Sequence, residues 1–296
     1  DITIQALNIG PGDEVIVPTF TIISCASQIA RVGAKVVPVD CDDSFNMDVS
    51  KVEALITTKT KAIMIVHIYH FAADVDPILA LANKHNLKVI EDNAEMIGSS
   101  YKGRPCGSFG DISTMSFFAN KHVTCGEGGM ILTDDDSLAA RCGEIRNLCF
   151  DLKGRRFVHK ELGFNCRMTN LQAAVGLAQV ERLESTIQRK VAIGLEYLSQ
   201  LEGCPGLILP PSTLRGETNV YWVFGVLVTP ELVASGIDAE HVMKELKKVN
   251  VDTRPFFWPM HKQPVFHDMG MWKDGPLPEC PKSEQFARAG FYIPSG

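Results

Sequence analysis

The 296-residue sequence holds no C-x-x-C pair, no G-x-G-x-x-G run, no internal repeat and no low-complexity tract. The missing pair matters because nine cysteines are present: Cys25, Cys41, Cys106, Cys125, Cys142, Cys149, Cys166, Cys204 and Cys280. Odd in number, scattered and often set inside apolar runs, they read as reduced core residues of an intracellular protein. The missing glycine fingerprint argues against a nicotinamide dehydrogenase. No apolar run approaches the roughly 20 residues of a membrane span, and the first residues lack the basic start and apolar block of a signal peptide. Basic residues are in deficit, 29 against 35 acidic, for a formal charge of −6. With no general basic field, nucleic acid is not an expected partner. His67, His70, His122 and His261 have no spacing that argues for zinc, so no metal is expected. The expected compartment is the cytoplasm.

What remains is an ordinary globular composition, 45% hydrophobic and 22% charged, over a length that suits two domains. Helix and strand patterns alternate from the start. Ile4, Ala6 and Leu7 read as the end of a helix closed by Gly10-Pro11-Gly12. Strands are expected at 14–17, 34–39, 62–68, 87–90 and 112–118, with helical segments at 24–32, 49–56, 77–85 and 136–146. That alternation indicates parallel βαβ units, and near-continuous apolar strands such as AIMIVHI indicate burial on both sheet faces. A polar, basic surface loop is expected over 151–170. Thr169-Asn170 then caps a long helix from Leu171 to about Leu201, with Ala174, Leu177, Ala178 and Leu183 on its core face. The Pro/Gly break at GCPGLILPPS divides a large domain (1–200) from a small C-terminal one (201–296). In the latter, YWVFGVLVT is strand-like, 239–249 is helical, and VDTRPFFWPMHKQPVF is irregular.

The chain is organised around His85 to Leu132. One buried strand ends in Glu91 and Asp92; another runs into Ser116, Asn120 and Lys121, followed by Gly126-Glu127-Gly128-Gly129. Asp92, at the C-terminal end of a parallel strand, sits where α/β sheets place ligands, and there it can keep a pyridinium nitrogen protonated. Read plainly, it is a helix N-cap with Glu95 as its capping-box partner. Glu95, one turn on, is alternatively placed to meet a ring hydroxyl. Ser116 suits an anion, and Lys121, flanked by Phe117-Phe118 and a glycine run, suits an imine-forming amine. Asn165 and Arg167 can donate to a phosphate or simply structure their loop. An acid at one strand end, with a serine and lysine past another, fits an electron-sink cofactor.

Those residues also carry a resemblance. IEDNAE, GSFGDIS, SFFANKHVTCGEGGM and LGFNCRMTNLQAAVGLAQVERL, with GPGDEVIVPTFT and GAKVVPVD, closely resemble the DegT/DnrJ/EryC1 family of pyridoxal-phosphate-dependent nucleotide-sugar aminotransferases. Within it, HIY…DVDPI, EIRNLCFD, NVYWVFGVLV and TRPFFWPMH look most like GDP-perosamine synthases. The resemblance implies the α/β aspartate aminotransferase fold (type I): a mostly parallel sheet sandwiched by helices, plus a small C-terminal α+β domain. It implies that Lys121 binds the cofactor as an imine and shuttles the proton, and that Asp92 pairs with the ring nitrogen. It puts Glu95 near the ring hydroxyl, Ser116 on the phosphate, and Asn165 on the phosphate of a partner subunit in a homodimer with shared sites. Lys121 further implies transamination, since dehydratase relatives carry histidine there and here histidine is only the neighbour, His122.

The implied reaction moves an amino group from glutamate to a nucleotide-linked 4-keto-6-deoxyhexose, GDP-4-keto-6-deoxymannose giving GDP-perosamine. A UDP- or dTDP-linked acceptor, or a truncated non-catalytic homologue, are the alternatives. The sequence departs from the family pattern at Ile22, where relatives usually stack Phe or Trp on the cofactor ring. Further departures are Asn93 for a small residue, His70 for glycine, and Cys166 for tyrosine. The family's Gly-Thr phosphate turn has no counterpart before Asp1, and its last helix has none after Gly296, so truncation at both ends is expected.

Overall fold

The computed structural model describes residues 1–150, 155, 157–273 and 275–295. The loop expected over 151–170 therefore lies partly outside the described residues, at 151–154 and 156.

The short helix α1 (Ile2–Ala6) precedes the first buried strand, β1 (Glu14–Pro18), whose five residues are all inaccessible. Then follow α2 (Ile23–Arg31), β2 (Lys35–Val39), β3 (Thr60–Val66), α3 (Val75–Lys84) and β4 (Lys88–Asp92). A two-residue hairpin, β5 (Ser100–Tyr101) and β6 (Arg104–Pro105), leads to β7 (Ile112–Ser116), β8 (Gly129–Leu132) and α4 (Asp136–Arg146). Six of these strands form one sheet in the order β2-β1-β3-β4-β7-β8. All pairs are parallel except the last, where β8 runs antiparallel to β7. Runs of Val and Ile without polar alternation are what a strand covered on both faces requires. The register sets Val66 beside Asp92 and Asp92 beside Thr114, which gathers three strand ends at one edge.

Two expected helices come out differently. Residues 49–56 form two single 3₁₀ turns, at Val49–Lys51 and Glu53–Leu55, with Asp48 capping the first through Ser50 N. The long helix from Leu171 divides into α5 (Asn170–Val180) and α6 (Leu183–Leu201). Thr169 caps α5 in a capping box closed by Gln172. Of the face expected to meet the core, only Leu183 does, packing against Ile97, Phe117, Val123 and Cys125; Ala174, Leu177 and Ala178 are exposed, as are Leu171, Val175 and Val180, and in α5 only Gly176 is buried. The helical period was read correctly, but period alone does not say whether an apolar face meets this chain or another. Cys166 and Cys204 likewise lie exposed, while the other seven cysteines are buried.

Beyond α6 come β9 (Leu207–Ile208), the hairpin β10 (Thr213–Leu214) and β11 (Glu217–Thr218), then β12 (Phe224–Val228), α7 (Pro230–Ala234) and α8 (Ala239–Lys248). The chain continues through β13 (Arg254–Pro255), α9 (Pro264–Asp268), α10 (Pro281–Ala289) and β14 (Gly290–Ile293). A second, antiparallel sheet has the order β13-β14-β12-β9. The two sheets share an aromatic seam. Phe20 and Phe45 from the first half meet Phe256 and Phe286 from the second, with the Phe45 and Phe286 rings 4.7 Å apart. Buried Asp40, just past β2, reinforces it by accepting from the hydroxyl (2.6 Å) and backbone N–H (2.9 Å) of Ser283 on α10. The free edge of β2 is covered too, since the Trp272 indole donates to the Val36 carbonyl at 2.8 Å. No helix among the described residues is long and apolar enough to cross a membrane.

Candidate active site

The site lies where β3, β4 and β7 end. Glu91 and Asp92 close β4, and because side chains alternate along a strand they serve opposite faces. Glu91 turns inward, fully buried, and accepts from five donors. These are His67 Nε2 (2.9 Å), the N–H groups of Gly107 (2.5 Å), Phe109 (2.8 Å) and Gly110 (3.0 Å), and the Ser113 hydroxyl (3.0 Å). His67 Nδ1 accepts from Ala73 N at 3.0 Å, which leaves Nε2 as the protonated nitrogen. Burial alone would raise the Glu91 carboxyl, but the His67 bond and the backbone donors outweigh it and hold it near 2. Glu91 is thus a structural anchor for the glycine-containing loop before β7.

Asp92 turns the other way. Its Oδ1 accepts from Ala94 N at 2.9 Å and its Oδ2 from the Cys25 thiol at 3.4 Å. No helix follows it, so the N-cap and capping-box reading of Asp92 and Glu95 does not hold: the next residues form turns. Glu95 is buried and takes its bond from the Tyr69 backbone N–H at 2.9 Å. Tyr69 makes this possible by adopting φ +54°, a left-handed conformation that costs an ordinary side chain energy. Burial pushes the Glu95 carboxyl well above the usual carboxylate range, with Lys121 and the Tyr69 N–H opposing it. Burial likewise lowers the Lys121 amine, with Glu95, Asp92 and Cys25 pulling it back up. The structure therefore brings Asp92, Glu95 and Lys121 into one electrostatic group. A partly desolvated amine of lowered pKa is a usable nucleophile.

Ser116 ends β7, half-buried, and its Oγ accepts from Phe118 N at 3.3 Å. Ile22 precedes α2 as its cap residue, 42% exposed, one turn before the thiol that touches Asp92. Asn165 is exposed and its backbone bridges to Asn147. Among the described residues no hydrogen bond joins its side chain to the Lys121 group. Gly128 and Gly129 answer to packing: a Cβ would meet the Met168 terminal methyl at 3.1 Å and the Met115 carbonyl at 2.8 Å respectively.

Sequence reasoning missed Trp222. It was read only as part of a strand, yet the Lys121 Nζ lies 3.7 Å from its ring centroid and its Nε1–H donates to the Asn120 carbonyl at 3.0 Å. Next to it is a cleft of about 260 Å³ between the two sheets, lined by Asn120, Lys190, Trp222, Arg254, Tyr292 and Ser295 among others. Burial brings the Lys190 amine down to about 8, and it donates to the Ser295 carbonyl at 2.9 Å.

A half-buried amine, an acid at a strand end and a hydroxyl with an adjacent N–H, beside the cleft, form a donor set that fits pyridoxal phosphate. Comparisons with known proteins agree. The DegT/DnrJ/EryC1/StrS aminotransferase family matches residues 1–296. A GDP-perosamine synthase of Caulobacter vibrioides is 43% identical over 90% of this chain and 71% of its own length. One from Escherichia coli O157:H7 is 39% identical over 95% of this chain and 77% of its own. The crystal structure of S. venezuelae DesV in complex with a ketimine intermediate superposes with a TM-score of 0.87 at 33% identity, covering 100% of this chain and 76% of that one. The chain belongs to the DegT/DnrJ/EryC1/StrS aminotransferase family, whose members are pyridoxal-phosphate-dependent sugar aminotransferases.

Proposed function

We propose that this aminotransferase moves an amino group from glutamate to a nucleotide-linked 4-keto-6-deoxyhexose, with GDP-4-keto-6-deoxymannose as acceptor and GDP-perosamine as product. The observation that carries the reading is the Lys121 amine, half-buried within the field of Glu95 and Asp92 at the sheet edge, in a chain 43% identical to a GDP-perosamine synthase. When bound, pyridoxal phosphate supplies the electron sink that makes a carbon–hydrogen bond beside nitrogen acidic. The chain's own residues do the rest. Asp92 would pair with the ring nitrogen and keep it protonated, Glu95 would face the ring hydroxyl, Ser116 would hold the phosphate and Ile22 would cover a ring face. Lys121 would hold the cofactor covalently and, when free, would serve as the base that moves the proton.

The exposed apolar residues of α5, with Leu162 at 91% exposed, support a homodimer in which Asn165 serves the partner's phosphate. We further propose that 1–200 and 201–296 are the two domains, and that the enzyme works in the cytoplasm. The test is purified protein loaded with pyridoxal phosphate, supplied with glutamate and offered GDP-, UDP- and dTDP-linked 4-keto sugars, with products read by mass. Conversion of the GDP sugar is expected. Conversion of a UDP or dTDP sugar alone moves the acceptor to that nucleotide, and a cofactor-loaded protein that aminates none overturns the acceptor class.

A further inference from the structure

Lys121 is unusual among the lysines in what its amine rests on. Its Nζ stands 3.7 Å from the centroid of the Trp222 ring, close enough for a strong cation–π contact in a partly desolvated setting. Trp222 is itself held on every side. Its indole N–H donates to the carbonyl of Asn120, the residue before the lysine. Its ring is 94% buried and stacks on Tyr69 at 6.1 Å and 22°. Tyr69 in turn donates its backbone N–H to Glu95. Just before Trp222 the backbone of Tyr221 takes φ +47°, a conformation fixed by the Asn219 side chain, which accepts from Tyr221 N at 2.8 Å. A strained turn backed by a buried amide is an arrangement that aims one side chain at one place.

We propose that Trp222 is a positioning residue: its ring face is the seat of the Lys121 amine whenever that amine is not bonded to the cofactor. The inference rests on Lys121 being the reactive lysine. The charged and titratable groups around the amine are Asp92 at the end of β4, Glu95 three residues past it, Cys25 on α2, and His122 beside it in the chain. Among the described residues no hydrogen bond fixes the amine to either carboxylate, so the ring is what defines its place. Seated there, the amine is kept from locking into a salt bridge with Glu95 and would be free to bond the cofactor.

The test reads the amine directly. In cofactor-free protein, the pH dependence of Lys121 acylation by acetic anhydride, followed by peptide mass spectrometry, gives the midpoint at which the amine loses its proton. Trp222→Leu removes the ring and is expected to lower that midpoint by roughly 0.5 or more, because the charged amine loses its favourable face. Trp222→Phe keeps a ring without the N–H and is expected to stay near the wild-type midpoint. In cofactor-loaded protein the leucine variant should lose kcat at least ~5-fold with little change in the KM for the sugar. An unchanged midpoint in Trp222→Leu overturns the proposal. So does a phenylalanine variant that falls as far as the leucine one, since the indole bond to Asn120 would then be the operative contact. Lys121→Ala that still forms the cofactor's imine absorbance would defeat the lysine assignment instead, so the two failures are distinguishable.

Discussion

Half-buried Lys121, past the end of β7, and fully buried Glu91, at the end of β4, illustrate how differently two charged residues near one sheet edge behave. Lys121 is held loosely, by field and ring rather than by bonds, which suits a group that must make and break a covalent link. Its replacement by alanine is expected to remove the cofactor's imine absorbance and to slow the amino-transfer half-reaction by at least ~10²–10⁴-fold, measured by single-turnover spectroscopy. Glu91 is held by five donors and has no freedom to react. Its carboxyl sits near 2 against an ordinary 4.5, a difference worth about 3 kcal/mol of folding free energy. Because the folded value is the lower one, that stability is fully present above pH 4.5 and is lost as pH falls toward 2. Glu91→Gln should therefore lower the unfolding free energy by about 3 kcal/mol at pH 7, and its urea midpoint should change less than wild type's between pH 5 and 3. Equal pH dependence in both proteins would refute this.

At the scale of elements, the sheet was legible in the sequence because β1, β3 and β4 carry near-continuous apolar runs, and β4 runs straight into Glu91 and Asp92. Asp92, Ser116 and Lys121 stood out as candidates by position, but the strand pattern left Asp92 readable as a helix cap, and only the family resemblance gave the three their roles. Three things were not legible. Trp222 lies 101 residues beyond Lys121, and no local pattern ties a ring on one strand approach to an amine on another. Glu95 was placed by helical spacing, whereas the left-handed Tyr69 backbone, invisible in a sequence, decides its partner. In α5 the apolar pattern was plain but its destination was not, since a dimer face and a core face share one period. Under the proposed homodimer, Leu177→Asp on that exposed face should turn a dimeric wild type into a monomer in size-exclusion chromatography with light scattering, leaving the far-UV circular dichroism intact; a monomeric wild type would overturn the homodimer. A variant that stays dimeric would place the interface elsewhere. On α6, Gly194 is buried against Tyr221, and a Cβ there would come within 2.5 Å of the tyrosine ring. Gly194→Ala is expected to cost about 1–3 kcal/mol in chemical denaturation, despite alanine's better helix propensity.

For the whole molecule, the two sheets work as one body because the seam between them is aromatic and dry. Phe286→Ala, which empties a site shared by Phe20 and Phe45, should destabilise the protein by about 3–5 kcal/mol while unfolding remains a single calorimetric transition. Two resolved transitions would mean that the halves unfold independently.

The same seam bears on how freely the halves could be exchanged between genes. A polypeptide stopped at Leu201 would leave Phe20, Phe45 and Tyr69 facing water, and the remainder would lose the cover over Phe256 and Phe286. Neither half is a module that recombination can trade alone. A small half from a relative would have to arrive with both its phenylalanines in register and a Trp222 equivalent aimed at the lysine.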